Sequence, residues 1–261
     1  MNKTTLLDHI DPENRIPLAR LLDRAEQAER RNIPSSSDFL TPSQQMQALD
    51  LLHQAEIPEE SYLRTGGYDG AERQIFCFLP DWMEQDLCET PIRCLRCSYR
   101  AADHLSHRDL LGSLMGLGIV REKVGDILVT EESCDVLVLD SVAEFLLQNW
   151  TGAGRAHLSV QEVDLAHIHI PKAHYEELHD TVSTLRLDAV VASGLKMARG
   201  KASALIGSGA VQVNWKNCTK SDHLLEEGDT VSARGFGKFT LKQVGGYTKK
   251  GRTAITIQRY I

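Results

Sequence analysis

The stretch from Leu185 to Lys238 constrains the fold more tightly than any other part of the chain. Arg186 to Ala192 and Arg199 to Ile206 read as two short helices. Gly194 stands where the first must stop, and Gly207-Ser208-Gly209 ends the second and turns the chain into a strand over Ala210 to Trp215. A small sheet follows. Charge sets the same region apart: residues 183–261 hold 13 Lys or Arg against 5 Asp or Glu, which leaves 16 of the 29 basic and 31 of the 36 acidic residues for the remainder. A net of +8 on a chain of net −7 is the electrostatic footprint of a polyanion-binding domain.

Arg186-Leu187-Asp188, the helix start Arg199-Gly200-Lys201-Ala202, Leu205-Ile206, Val211 to Trp215 and Gly228-Asp229 occur in a characteristic order and spacing. In this the segment resembles the small RNA-binding module named after the fourth protein of the small ribosomal subunit, the S-four module. The resemblance implies that both helices and the adjacent sheet edge dock on structured RNA. Carried onto this chain, it implies contacts from Arg186, Lys196, Arg199, Lys201, Asn214 and Lys216, flanked by Arg234 and Lys238. Arginine brings a planar fork of donors suited to phosphate, and lysine a flexible point charge. An open helix start near Arg199 adds N–H groups that favour phosphate. Asp188 is expected to be structural, and Leu187, Leu205, Ile206, Val211 and Val213 to be core. Two positions depart from the module's pattern: Ala198 stands where a serine N-cap is usual, and Gly200 loosens the helix start.

At 261 residues the chain is long enough for two or three domains, and 42% apolar with 25% charged residues is ordinary for a soluble globular protein. The opening residues lack the apolar run of a signal peptide, and no window reaches the ~20 apolar residues of a membrane span. Six cysteines without paired spacings read as reduced thiols. These features point to the cytoplasm.

The fold class expected is α+β, with a helical domain over 1–72, a ferredoxin-like or RRM-like domain over 73–165, a linker over 166–182 and the S-four domain over 183–261. Glu13 to Arg31 has helical periodicity, and Thr41-Pro42 with Gln44 spells a capping box that opens a helix to about Ala55. Gly66 to Gly70 is turn chemistry expected to close that domain. Strands are expected at Gln74–Leu79, Ile92–Tyr99, Asp126–Thr130, Cys134–Leu139 and Arg155–Val163. Helices are expected at Arg108–Leu117, entered through Ser106, and at Ser141–Trp150. From Ile92 that order is β-α-β-β-α-β. The Cys134–Leu139 strand lacks aromatics for stacking bases, so this domain is expected to meet RNA by shape and charge, or to pack on protein.

Leu105 to Gly112, Gly116 to Ile119, Arg121-Glu122-Lys123, Gly125 to Ile127, Gly66-Gly67-Tyr68 and Ala71-Glu72-Arg73 extend the likeness beyond the module. With Val190-Val191, Val213 to Trp215 and Arg234 to Gly237, the chain resembles the YlmH family of bacterial proteins from about Gly66 to Leu241. The resemblance implies a non-enzymatic, ribosome-associated RNA binder, without cofactor or metal, partnered by ribosomal RNA or tRNA and the large ribosomal subunit. Members are linked to rescue of obstructed large subunits carrying peptidyl-tRNA, and to the cell-division gene neighbourhood.

Other chemistries fit less well. Ser106, His107 and Asp109 lie too close in sequence to converge as a hydrolytic triad. His167, His169, His174 and His179 have no cysteine or carboxylate at ligand spacing, and read as a solvated linker. His167–Ile170 and Lys196–Arg199 echo the ATP-binding signatures of class I aminoacyl-tRNA synthetases but leave no room for that catalytic domain. Cys94-Leu95-Arg96-Cys97 is a single C-x-x-C on a strand. Arg234 to Phe239 copies the start of an RNA-recognition signature in the wrong domain. An RNA-modifying enzyme of the pseudouridine-synthase kind is the alternative function, as is a division-linked scaffold that binds protein through the acidic N-terminal helices.

Overall fold

The computed structural model describes residues 3–8, 10–171 and 175–260. The chain divides into two compact units, Met1–Pro171 and Lys172–Ile261. The N-terminal and middle segments, expected to be separate domains, therefore share one unit.

The first unit opens with α1 (Lys3–Leu7), α2 (Arg15–Arg31), β1 (Ser35–Ser36), α3 (Pro42–Gln54), β2 (Tyr62–Thr65) and β3 (Ile75–Phe78). The capping box before α3 forms as its spacing predicts: Gln44 N–H donates to Thr41 Oγ1 at 3.3 Å, and Thr41 N–H to Gln44 Oε1 at 2.9 Å. The segment is not wholly helical, because its strands form a sheet in the order β1-β3-β2. Gly66 to Gly70 lies inside this sheet, between β2 and β3, rather than at a domain edge. The expected strand at Gln74–Leu79 belongs here too, so the boundary at 72/73 cuts an intact sheet.

The middle segment runs β4 (Ile92–Ser98), α4 (His107–Gly116), β5 (Val124–Val129), β6 (Ser133–Leu139), α5 (Asp140–Asn149), β7 (Gly152–Ala153), β8 (Ala156–His157) and β9 (Ser159–Val163). β4, β5, β6 and β9 pair antiparallel in the order β5-β6-β4-β9, the ferredoxin-like arrangement. The strand expected from Arg155 is broken, with a β7–β8 hairpin preceding β9.

Alternation along β4 and β6 sends apolar side chains to both faces of this sheet. Leu95, Cys97, Cys134, Val136 and Val138 meet Leu110, Leu114, Ala143 and Leu146 of α4 and α5. Ile92, Cys94, Leu137 and Leu139 meet Phe39, Ile75 and Cys77 from the N-terminal segment. The face that a ferredoxin-like RNA binder would leave open is thus covered by the chain itself. Gly125 permits this approach, since a Cβ there would stand 2.8 Å from the Phe39 ring. Cys94 and Cys97 fall in opposite cores, which rules out a bond between them.

Many of the residues behind the family resemblance converge at this junction. Asp126 accepts the Tyr68 hydroxyl at 2.8 Å and the backbone N–H groups of Glu72 and Arg73 at 2.7 and 3.1 Å. Buried Arg73 donates to the carbonyls of Val124 and Phe39, both at 3.0 Å. Together they tie the 66–73 turn, the N-terminal segment and β5 into one body.

The second unit comprises β10 (Tyr175–Val182), α6 (Leu187–Gly194), α7 (Arg199–Gly207), β11 (Val211–Val213), β12 (Lys216–Asn217), β13 (Thr230–Ala233), β14 (Gly237–Tyr247) and β15 (Thr253–Tyr260). The sheet order is β10-β15-β14-β13-β11-β12. The C-terminal part of the expected linker, Tyr175–Val182, is therefore an edge strand, in register with β15 from Tyr175↔Tyr260 to Val182↔Thr253. β10 turns only Leu178 and Val182 into the core, a pattern too polar to announce a strand before its distant partner is known. α6 and α7 cover one sheet face over Leu187, Val190, Val191, Ile206, Val211, Val213 and Phe239, with Leu205 partly buried against them. Among the described residues no helix is long and apolar enough to cross a membrane.

Candidate nucleic-acid interface

α6 begins at Arg186, which serves as its N-cap residue in extended conformation without a capping side chain. The orphan N–H groups of Leu187 and Asp188 instead donate to the carbonyls of His223 and Ser221, at 2.7 and 3.1 Å. This docking buries Asp188, which is 5% exposed. A carboxylate so placed needs cationic partners. Arg186 Nε and Nη2 donate to its two oxygens at 3.3 and 3.1 Å, and Arg199 Nη2 reaches both at 2.9 and 3.1 Å. Burial alone raises the Asp188 carboxyl, yet the two arginines outweigh it and hold the group below the usual carboxylate range. The expected structural role of Asp188 thus has a definite form. It holds two partly exposed guanidinium groups side by side at the adjoining starts of α6 and α7.

α7 starts at Ala198 with no side-chain cap, as its sequence predicts. Residues 198–201 are all exposed, so the first N–H groups of this helix lie open to water or an anion. Lys201 leans the other way, its Nζ 5.1 Å from the centroid of the Phe236 ring in the β13–β14 hairpin. Arg234 is exposed on that hairpin, and its backbone N–H is fixed to the Ala210 carbonyl at 2.9 Å. Arg186, Arg199, Lys201 and Arg234 are therefore cationic side chains on an ordered surface. Phe236 is absent from the expected contacts because its Arg-Gly-Phe-Gly context reads as an RNA-recognition signature in the wrong domain.

The remaining expected contacts divide. Lys216 is exposed on the edge strand β12. Lys196, in the α6–α7 turn at φ 50°, reaches back to Glu176 of β10 at 2.6 Å. Asn214 is spent inside the fold: its amide donates to Asp229 Oδ1 at 2.7 Å and accepts from Thr230 N–H at 2.9 Å. That clip secures a tight turn in which Asn214 and Trp215 both have positive φ, 47° and 61°, which only a mirror-type hairpin turn requires. Lys238 stacks its ammonium 4.6 Å from the Tyr260 ring centroid, on the sheet face away from the helices.

Competing sites do not assemble. Ser106 and Asp109 are engaged with each other as the capping box of α4, with Ser106 Oγ donating to Asp109 Oδ2 at 2.6 Å. Among the described residues no cluster of His, Cys, Asp or Glu could hold a metal ion, and His174 lies outside the described residues.

Three family models match: "YlmH, N-terminal" over residues 13–78, "Putative RNA-binding domain in YlmH" over 97–167, and "S4 domain" over 185–231. The ribosome-associated protein quality control protein P2 of Bacillus subtilis (strain 168) is 36% identical over 226 residues, 85% of this chain and 86% of the relative. A solved structure, cell division protein ylmH from Streptococcus pneumoniae, shares the fold at 22% identity, with a TM-score of 0.52 over 63% of this chain and 98% of that one.

Proposed function

The chain belongs to the YlmH family, and from that premise we propose that it is a non-enzymatic, ribosome-associated RNA-binding protein of the cytoplasm. The observation that carries the proposal is the Asp188-clamped pair Arg186 and Arg199 beside the uncapped start of α7. Two planar forks fixed on one carboxylate beside an open helix N-terminus form a receptor for closely spaced phosphates, which folded RNA presents and a flexible polyanion does not. Lys201 and Lys216 extend that surface. The bound RNA is that of the large ribosomal subunit or a tRNA upon it, and the role is in rescue of stalled subunits, in keeping with the quality-control name of the Bacillus relative.

The pseudouridine-synthase alternative rests on an aspartate in an arginine-leucine-aspartate motif, the letters found at Arg186-Leu187-Asp188, and the burial of Asp188 argues against it. The aspartate of Arg186-Leu187-Asp188 is buried with both oxygens occupied by arginine. Sedimentation of the tagged protein through sucrose gradients at low and moderate salt tests the proposal. Co-migration with free large subunits that is lost as salt rises is the expected result. Migration at the top under both conditions overturns it.

A further inference from the structure

The six-stranded sheet has a second face, turned away from α6 and α7, and strand register sets one row of side chains across all of it. Tyr175 stands opposite Tyr260, and Lys238 faces Tyr260 one step beyond the Phe239↔Arg259 pair. Ser232 is opposite Lys238, Gln212 opposite Ser232, and Asn217 opposite Gln212. Six strands at ~4.8 Å spacing make this row about 24 Å long.

Its two ends differ in chemistry. At one, the Tyr175 and Tyr260 rings meet edge to face, centroids 5.4 Å apart, with the Lys238 ammonium 4.6 Å from the second ring. Tyr175 is 48% exposed. At the other, Gln212, Asn217, Ser232 and Arg234 line a polar cleft of about 230 Å³. Glu177, an acid on this face, is neutralised by Lys242 at 2.7 Å. A sheet face that merely meets water needs polar residues only, not a tyrosine pair beside a cation. Tyr175, Lys238 and Tyr260 all lie outside residues 185–231, so flanking strands add this row to the matched module.

We infer that this outer sheet face is a second RNA site, which takes unpaired nucleotides next to the folded element held by the helices. Bases stack on Tyr175 and Tyr260, Lys238 and Arg234 meet phosphates, and the amides of Gln212 and Asn217 meet base edges. Aromatic platforms with cations along the backbone path are how proteins hold single strands with little sequence preference. The inference rests on the RNA-binding reading above.

The test uses the full chain, with fluorescence anisotropy on a short labelled oligouridine and, in parallel, binding to purified bacterial large ribosomal subunits. The double variant Tyr175→Ala/Tyr260→Ala is expected to lose roughly ten- to a hundredfold in oligouridine affinity while subunit binding falls far less. Tyr175→Phe/Tyr260→Phe, which keeps both rings, is expected to bind as the parent. Cross-linking of 4-thiouridine oligomers to the unaltered protein must map to peptides holding Tyr175, Lys238 or Tyr260, a readout independent of how well the alanine variant folds. Undiminished oligouridine binding by the alanine variant, or cross-links confined to other peptides, overturns the inference. So does a parent that binds subunits but no oligouridine, and the proposed function then stands. A parent that binds neither removes both.

Discussion

Asp188→Asn separates positioning from charge. The substitution adds one unit of positive charge to an already basic surface, so long-range attraction alone predicts tighter RNA binding. The structure predicts the reverse. The carboxylate fixes Arg186 and Arg199 through four contacts of 2.9 to 3.3 Å. Without it two long side chains must be ordered by the RNA, at about 0.5–1.5 kcal/mol each. The sum of about 1–3 kcal/mol weakens binding roughly 5- to 160-fold. The log–log salt slope stays within about one unit of the parent's, because the phosphate contacts still form. The fold loses less than a buried ion pair implies, since both guanidinium groups are partly solvated, at 37% and 49% side-chain exposure. After discounting for solvent screening, about 1–2 kcal/mol is expected in urea unfolding. Equilibrium titration against large subunits at several salt concentrations reads the affinity. Equal or tighter binding by the variant refutes the positioning argument.

Four further outcomes follow from the structure. Arg199→Glu/Lys201→Glu should abolish co-sedimentation with ribosomes and leave circular dichroism unchanged, while the parent, neutralising about four phosphates, shows a log–log salt slope around −3 to −4. Asp126→Ala should destabilise the first unit by about 2–4 kcal/mol in chemical denaturation, because it strands the Tyr68 hydroxyl and two backbone N–H groups. Burial and the adjacent Asp126 also push the Tyr68 phenol well above 10.0. The folded state then keeps a proton that the unfolded chain releases, so its contribution is intact below pH 10 and is lost as pH rises further, an effect absent in Tyr68→Phe. Gly194→Ala should cost about 1–3 kcal/mol, since the new methyl stands 2.9 Å from the Phe239 ring, and urea unfolding measures it.

Local signals predicted local structure well. Thr41 with Gln44 and Ser106 with Asp109 are contained within a few residues of chain, and both caps form as their spacing requires. The β-α-β-β-α-β order of the middle segment and the helix pair of the basic module were legible for the same reason. Periodicity and turn residues act over one element at a time. What stayed hidden depends on a distant partner. β10 has too few apolar residues to announce itself, and becomes a strand only because β15, some 75 residues later in sequence, supplies its hydrogen bonds. Nothing local in the middle strands announces that Phe39, Ile75 and Cys77 cover the sheet's second face.

The interface divides along the same line. By itself the sequence determined where positive charge concentrates and which helix start lacks a cap, because composition and capping are properties of neighbours in the chain. Only the tertiary structure decided which cations are presented and which are spent. Arg186 and Arg199 are joined through Asp188, whereas Lys196 is drawn to Glu176 and Asn214 to Asp229. Those pairings are fixed by which side chains the packed helices and strands bring within hydrogen-bond reach, a distance that sequence separation does not measure.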